Sequence, residues 1–163
     1  MRWRNLVGAI IVSAFAIAAA GCKAELQTNQ HSEWIKANQA VAEYRDEAAK
    51  LKLAPGWEWP SQVIYDEERH GMEALYGVNT GRIDAAWYWH CSWGRQYLGE
   101  TDLAKRAEYL PQVLALRDSA FFKLGLAVED RPAREDTLNR LASGDVSEFR
   151  NIIEVNCPAN SEG

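Results

Sequence analysis

Histidine, cysteine and methionine are scarce in this chain of 163 residues, at three, three and two copies. A zinc or di-iron centre draws several such ligands, with carboxylates, at set spacings. Glu67 and His70 make one Glu-x-x-His step where a di-iron bundle uses two, and His31 and His90 stand in no matching context. No metal and no other cofactor is expected. Basic residues are also in the minority, 18 against 23 acidic for a net charge of −5, and they are scattered. That leaves no electrostatic footprint for nucleic acid and no polybasic patch for an anionic lipid surface. Glycine-rich phosphate loops, heptad arrays and internal repeats are missing as well. A hydrophobic fraction of 47% excludes a wholly disordered chain.

Acidic residues are absent before Glu25, and the stretch they leave free is unlike the rest. Arg2 and Arg4 precede an apolar run from Leu6 to Ala20, and Ala18, Ala19, Ala20 and Gly21 lead to Cys22. A charged start, an apolar middle and small residues at the end is the order of a secretory signal peptide. The run is short for a membrane span, which wants about 20 apolar residues. Ala19-Ala20-Gly21-Cys22 resembles the lipobox of bacterial lipoproteins, and the resemblance covers only the first 22 or so residues. It implies cleavage before Cys22, acylation of that cysteine, and a partner in the membrane itself, reached through the lipid on its outer face. Stable anchoring takes two or more acyl chains, which such processing supplies on one residue. The chain departs from the family pattern at Ala19, where leucine is usual. Cleavage after Ala18 or Ala20 by an ordinary signal peptidase is therefore the alternative.

Processing at Cys22 would leave 142 residues (163 − 21), enough for one domain with a true core. Lys23 to His31 is polar and without periodicity, as a tether would be. Cys91 and Cys157 then remain as an even pair in a compartment where disulfides persist. A bridge between them would be worth roughly 4 kcal/mol by loop closure. A pair of buried free thiols and a catalytic cysteine are the alternatives. His90 gives no support to the last, since neighbours on a helix point about 100° apart.

The pattern predicts an all-α domain of four to five helices over residues 32–158, with a tail at 159–163. Ser32 caps a first helix to Leu53 whose stripe runs Trp34, Ala37, Val41, Tyr44, Ala48 and Leu51. Pro55-Gly56 stops it, and an irregular Trp-rich stretch follows, with a short strand at Val63–Tyr65 and a helical turn or two across Asp66–Tyr76. Thr80 caps a helix from Arg82 to Leu98 that is apolar nearly all round. Thr101 or Asp102 opens one bent helix from Leu103 to Leu124, with Pro111 inside it. Pro132 starts a short helix ending near Gly144. Asp145, with Glu148 as its capping-box partner, opens the last one, where Phe149, Ile152, Ile153, Asn156 and Cys157 share a face.

Five of the seven tryptophans fall between Trp57 and Trp93. As a surface, Trp57, Trp59, Trp87, Trp89 and Trp93 would stack sugar rings or anchor a protein partner. As a core, they would hold the Pro-Gly-Trp-Glu-Trp-Pro loop against the following helix, the commoner use of aromatics at helical spacing. Glu58, Glu67, Glu68, Glu73 and Asp84 lie in the same region, and a glycoside hydrolase would need two of them at a fixed separation. The expected function is a membrane-anchored, non-catalytic binding or accessory protein at the cell surface, with a protein or glycan partner. A cell-wall hydrolase using carboxylates of residues 57–84 is the alternative.

Overall fold

The computed structural model describes residues 34–63 and 65–158. The expected signal peptide, the lipobox-like Cys22, the expected tether, the cap expected at Ser32 and the tail expected at 159–163 lie outside the described residues. Within them the domain is all-α as expected: five helices carry the core, and two small two-stranded sheets sit to one side.

The first helix begins later than its stripe suggested. Trp34–Lys36 is a strand, β1, and α1 runs Ala37–Ala48. Lys36 is held extended by its ladder partner, and its amide donates to Oε1 of Gln39 at 2.9 Å, so the turn of helix can start only after it. Ala37, Ala40 and Tyr44 form the buried face, while Trp34 points outward.

After α1, Ala54-Pro55-Gly56-Trp57 makes a tight turn closed by Trp57 N to Ala54 O at 3.1 Å. Gly56, in third place after Pro55, supplies the positive φ of 79° that a type II turn requires there. Neither Val63 nor Tyr65 lies in a strand, and Asp66–Tyr76 is not helical, contrary to expectation. It holds a hairpin of β2 (Glu68–Arg69) and β3 (Met72–Glu73), then β4 (Leu75–Gly77). His70 and Gly71 both take positive φ (55° and 76°), which is the backbone of a two-residue hairpin turn. The antiparallel β1–β4 ladder pairs Trp34 with Gly77, Ile35 with Tyr76 and Lys36 with Leu75.

Helix α2, Thr80–Gly99, is the centre of the domain, with Ala85, Ala86, Trp89, His90, Cys91, Ser92, Trp93 and Tyr97 all buried. Thr80 does not cap it. Its hydroxyl donates back to the Gly77 carbonyl (2.7 Å), and Asn79 occupies the cap position in the left-handed region. The free amides of that first turn go instead to α1: Glu43 accepts from Asn79 N at 2.9 Å and Gly81 N at 3.2 Å. Gly81 lies where the two helices touch, and a Cβ there would overlap the Ala40 carbonyl oxygen and stand 2.6 Å from Tyr44 N.

Helix α3, Leu103–Leu114, is capped by Asp102, whose Oδ1 accepts from Ala104 N and Lys105 N. It carries Pro111 inside, as expected, but it does not reach Leu124. A 3₁₀ turn (Ala115–Asp118) ends in extended Ser119, and a π turn follows at Phe121–Gly125. The break is made by Ser119, whose hydroxyl donates to Leu116 O at 2.7 Å and accepts from Phe122 N at 3.2 Å. A side chain that pairs with its own backbone in this way competes with continued helix.

Helix α4, Arg131–Ala142, has proline in its first turn and buries Leu138 and Leu141 as expected. It closes on Gly144 (φ 98°), with Gly144 N bonded to Leu141 O and Asp145 N to Arg140 O. That second bond uses the amide which a capping box at Asp145 would need. Helix α5 accordingly starts at Ser147 and runs to Asn156, Asp145 Oδ1 accepts from Ser147 N, and Glu148 pairs with Arg140 at 3.1 Å. Phe149 and Ile153 are buried, Ile152 half-buried and Asn156 exposed. A Cys91–Cys157 disulfide, with Cα atoms 5.4 Å apart, ties the end of α5 to the middle of α2.

Candidate functional site

The five tryptophans between residues 57 and 93 do not form one surface. Trp89 and Trp93, candidates for either a contact face or the core, are buried and belong to the core. Both indole N–H groups donate to the same carbonyl, that of Lys52, at 3.0 and 2.9 Å. They therefore clamp the extended Leu51–Ala54 segment onto α2, and Ser92 completes the clamp by accepting from Ala54 N. Their role is structural for a plain reason: a buried indole must place its N–H, and the carbonyl left free after α1 offers the partner.

Trp87 is half-buried on the opposite side of α2, stacked at 4.4 Å (ring centroids) on Phe121 and 5.5 Å from His90. The Arg134 guanidinium lies 6.0 Å above its ring. His90 is wholly buried between Trp87 and Phe149, and neither ring nitrogen has a hydrogen-bond partner. Burial, with Arg134 adding to it, pushes its pKa down to about 3, so the ring is neutral.

Trp57 and Trp59 reach the surface on α1's side, both half-buried. Tyr88 meets each of them, at 5.8 and 5.5 Å between centroids, and its hydroxyl donates to Glu58 O at 2.9 Å. Tyr44 of α1 meets Trp59 edge-on at 5.8 Å. The stiff Trp-Glu-Trp-Pro segment thus stands off α1 and leaves an open groove of about 330 Å³. Tyr44, Arg45, Trp59, Pro60, Ser61 and Val63 line it. Arg45 is exposed at the rim, and its guanidinium has no carboxylate partner among the described residues.

Of the five carboxylates expected near the aromatic region, Glu58, Glu67, Glu68 and Glu73 are exposed, and Glu73 is paired with Lys36 at 2.7 Å. Asp84 differs. Tyr65 donates to its Oδ2 at 2.7 Å, and partial enclosure lifts its pKa above the usual carboxylate value, while the Tyr65 hydrogen bond pulls the other way. Burial, helped by that same bond, raises the Tyr65 phenol well above its ordinary value; burial does likewise for Tyr44, so both remain donors. Among the described residues, no group of three or more His, Cys, Asp or Glu side chains could hold a metal ion. No helix of the described residues is long and apolar enough to cross a membrane.

No family model, no curated protein and no solved structure matches this chain. The groove therefore stands on its own chemistry: two aromatic walls, a proline edge, a hydroxyl and one unpaired cation. Sequence reasoning found Trp59 and missed Tyr44, Arg45 and Tyr88 as members of the site. Tyr44 was legible only as a core residue of the first stripe. Tyr88 faces the same loop from α2, thirty residues on from Glu58, and no short-range pattern joins them.

Proposed function

We propose that this protein is an exported lipoprotein, held to the outer face of a membrane by acylated Cys22, whose helical domain is a non-catalytic binding or accessory module. The Cys91–Cys157 bridge is the observation that supports this most directly. It uses two of the three cysteines, suits an oxidising compartment, and leaves Cys22 in its lipobox-like context as the odd one. The groove beside Trp59 supports the binding role. Its aromatic walls suit a ring such as a sugar, and Arg45 suits a carboxylate on the same ligand.

Intact mass of the protein extracted from membranes tests the anchor: acyl mass on a chain beginning at Cys22 is expected, and Cys22→Ser should remain unprocessed or leave the membrane fraction. A mature chain beginning elsewhere without acyl mass would refute it. Co-sedimentation with purified cell-wall glycan tests the groove, with Arg45→Ala and Trp59→Ala expected to lower retention. The alternative of glycan hydrolysis rests on Asp84, whose raised pKa is the one carboxylate property in residues 57–84 that suits an acid. Release of reducing ends by the wild type, abolished by Asp84→Asn, would favour that alternative.

A further inference from the structure

The residues on the outer side of the β1–β4 ladder are apolar where water would be expected. Trp34 is 62% exposed and Leu75 49%. The register sets Trp34 opposite Gly77 and Leu75 opposite Lys36, so both side chains project from the same face of the ladder, away from buried Ile35. Met72, in the adjoining hairpin, is 69% exposed, and Val78, directly after β4, is 39% exposed. Half of the large exposed apolar side chains in the described domain, four of eight, thus belong to this one small region. The groove is not part of it, and most of the Trp34 side chain stays open to solvent.

The place of this face in the chain identifies what covers it. We infer that the Trp34–Leu75 face lies against the lipid surface and seats the domain on the membrane. This rests on the proposed anchoring at Cys22. Only Lys23 to Glu33, 11 residues (33 − 23 + 1), separate the acylated cysteine from Trp34. Even fully extended they span no more than roughly 40 Å. The sheet is the first described element beyond the anchor, and it is held there at an effective concentration of order millimolar or more. Under that constraint a contact too weak to recruit a free protein is enough to orient an anchored one. Its chemistry suits the headgroup boundary, where indole rings concentrate because one edge is apolar and the N–H is wet. The neighbouring charges do not suit an anionic target: Glu67, Glu68 and Glu73 stand beside it, and Lys36 is spent on Glu73. The contact is therefore apolar, favours zwitterionic lipid, and tolerates salt.

The membrane-extracted full-length protein, reconstituted into phosphatidylcholine vesicles with brominated acyl chains, reads this directly. Bromine quenches indoles within the bilayer, and Trp34 is the tryptophan of the described domain that the inference puts there. Quenching of the wild type is expected, and it should be lost in Trp34→Phe and reduced in Leu75→Asp. Unchanged far-ultraviolet circular dichroism would show that both exposed substitutions leave the fold intact. Quenching that persists at high salt, and weakens when phosphatidylglycerol is added, is the expected signature. Protein that floats with the vesicles, carries its acyl mass, yet shows the same emission in brominated and ordinary lipid would overturn the contact and leave the anchor standing. Protein that does not float would sink the anchoring and the contact together. Trp34 shielded from acrylamide and unquenched by bromine, with the mass of a dimer, would assign the face to a second copy instead.

Discussion

His90 is an imidazole sealed among rings with neither nitrogen bonded, and two unpaired buried polar atoms cost stability. Its pKa falls from 6.5 free to about 3 in the fold. The native state therefore refuses a proton that the unfolded chain accepts anywhere between those values. Stability is full above pH 6.5 and declines as pH falls from 6.5 towards 3, by about 2 kcal/mol at pH 5. Asp145, whose carboxylate is held well below its ordinary value by Ser147 and Arg140, acts only lower, below the usual carboxylate range. The two windows are separable. His90→Leu should raise the urea midpoint at pH 7 and flatten the loss between pH 7 and pH 5. An unchanged slope in that variant would place the acid sensitivity elsewhere.

Helix contacts turn on single atoms in the same way. A Cβ at Gly81 would meet backbone of α1 (the Ala40 carbonyl and Tyr44 N), which cannot step aside without moving the helix. A Cβ at Gly94 would meet Ile153 Cδ1 at 2.6 Å, the far end of a side chain that can turn. Gly81→Ala should thus cost more than Gly94→Ala, on the order of 3 kcal/mol against 1–2 for overpacking. Urea denaturation of the two variants reads the difference, and equal costs would mean that α1 can shift. This distinction could not be read from sequence, where both are simply glycines on an apolar helix. Helices α2, α4 and α5 were legible because their stripes and punctuation agree: Pro132 and Gly144 bracket α4, and the Cys157 face of α5 continues Phe149 and Ile153. The long third helix failed at Ser119, because a continuing stripe says nothing of a hydroxyl that bonds its own backbone. The hairpin at residues 68–73 was missed for a different reason. Its strands are two residues long, too short for alternation to show, and His70-Gly71 is a weaker turn signal than Asn-Gly. In the candidate site the stiff Trp-Glu-Trp-Pro segment was legible as unusual, but its partners come from α1 and α2, and only packing unites them.

At the scale of the molecule, the disulfide joins residues 66 apart in sequence and closes a loop that holds the C-terminal part of α2 and all of α3, α4 and α5. Restricting so long a loop in the unfolded chain is worth about 4 kcal/mol, a large share of the stability of a domain this size. The Cys91→Ala/Cys157→Ala variant should therefore lose about 2–5 kcal/mol in urea, and reductant should act on the wild type alone. Non-reducing peptide mapping that recovers both cysteines free would remove the basis for this expectation.

The β1–β4 ladder has a mechanical consequence for a protein held at its N-terminal side. Tension arriving at Trp34 enters the ladder at the Gly77 end, so its three pairs part in succession, as a zip opens, instead of sharing the load. Opening them adds about 10 Å of reach, at roughly 3.3 Å per residue, before α1 feels any pull. A ligand gripped in the groove would draw first on residues 34–63, and the load would reach the cross-linked residues 91–157 through the Trp93 and Ser92 contacts to Lys52 and Ala54. In a protein anchored as proposed above, β1 would then act as a short extensible leash that yields before the covalently closed core when the surface to which it is attached moves.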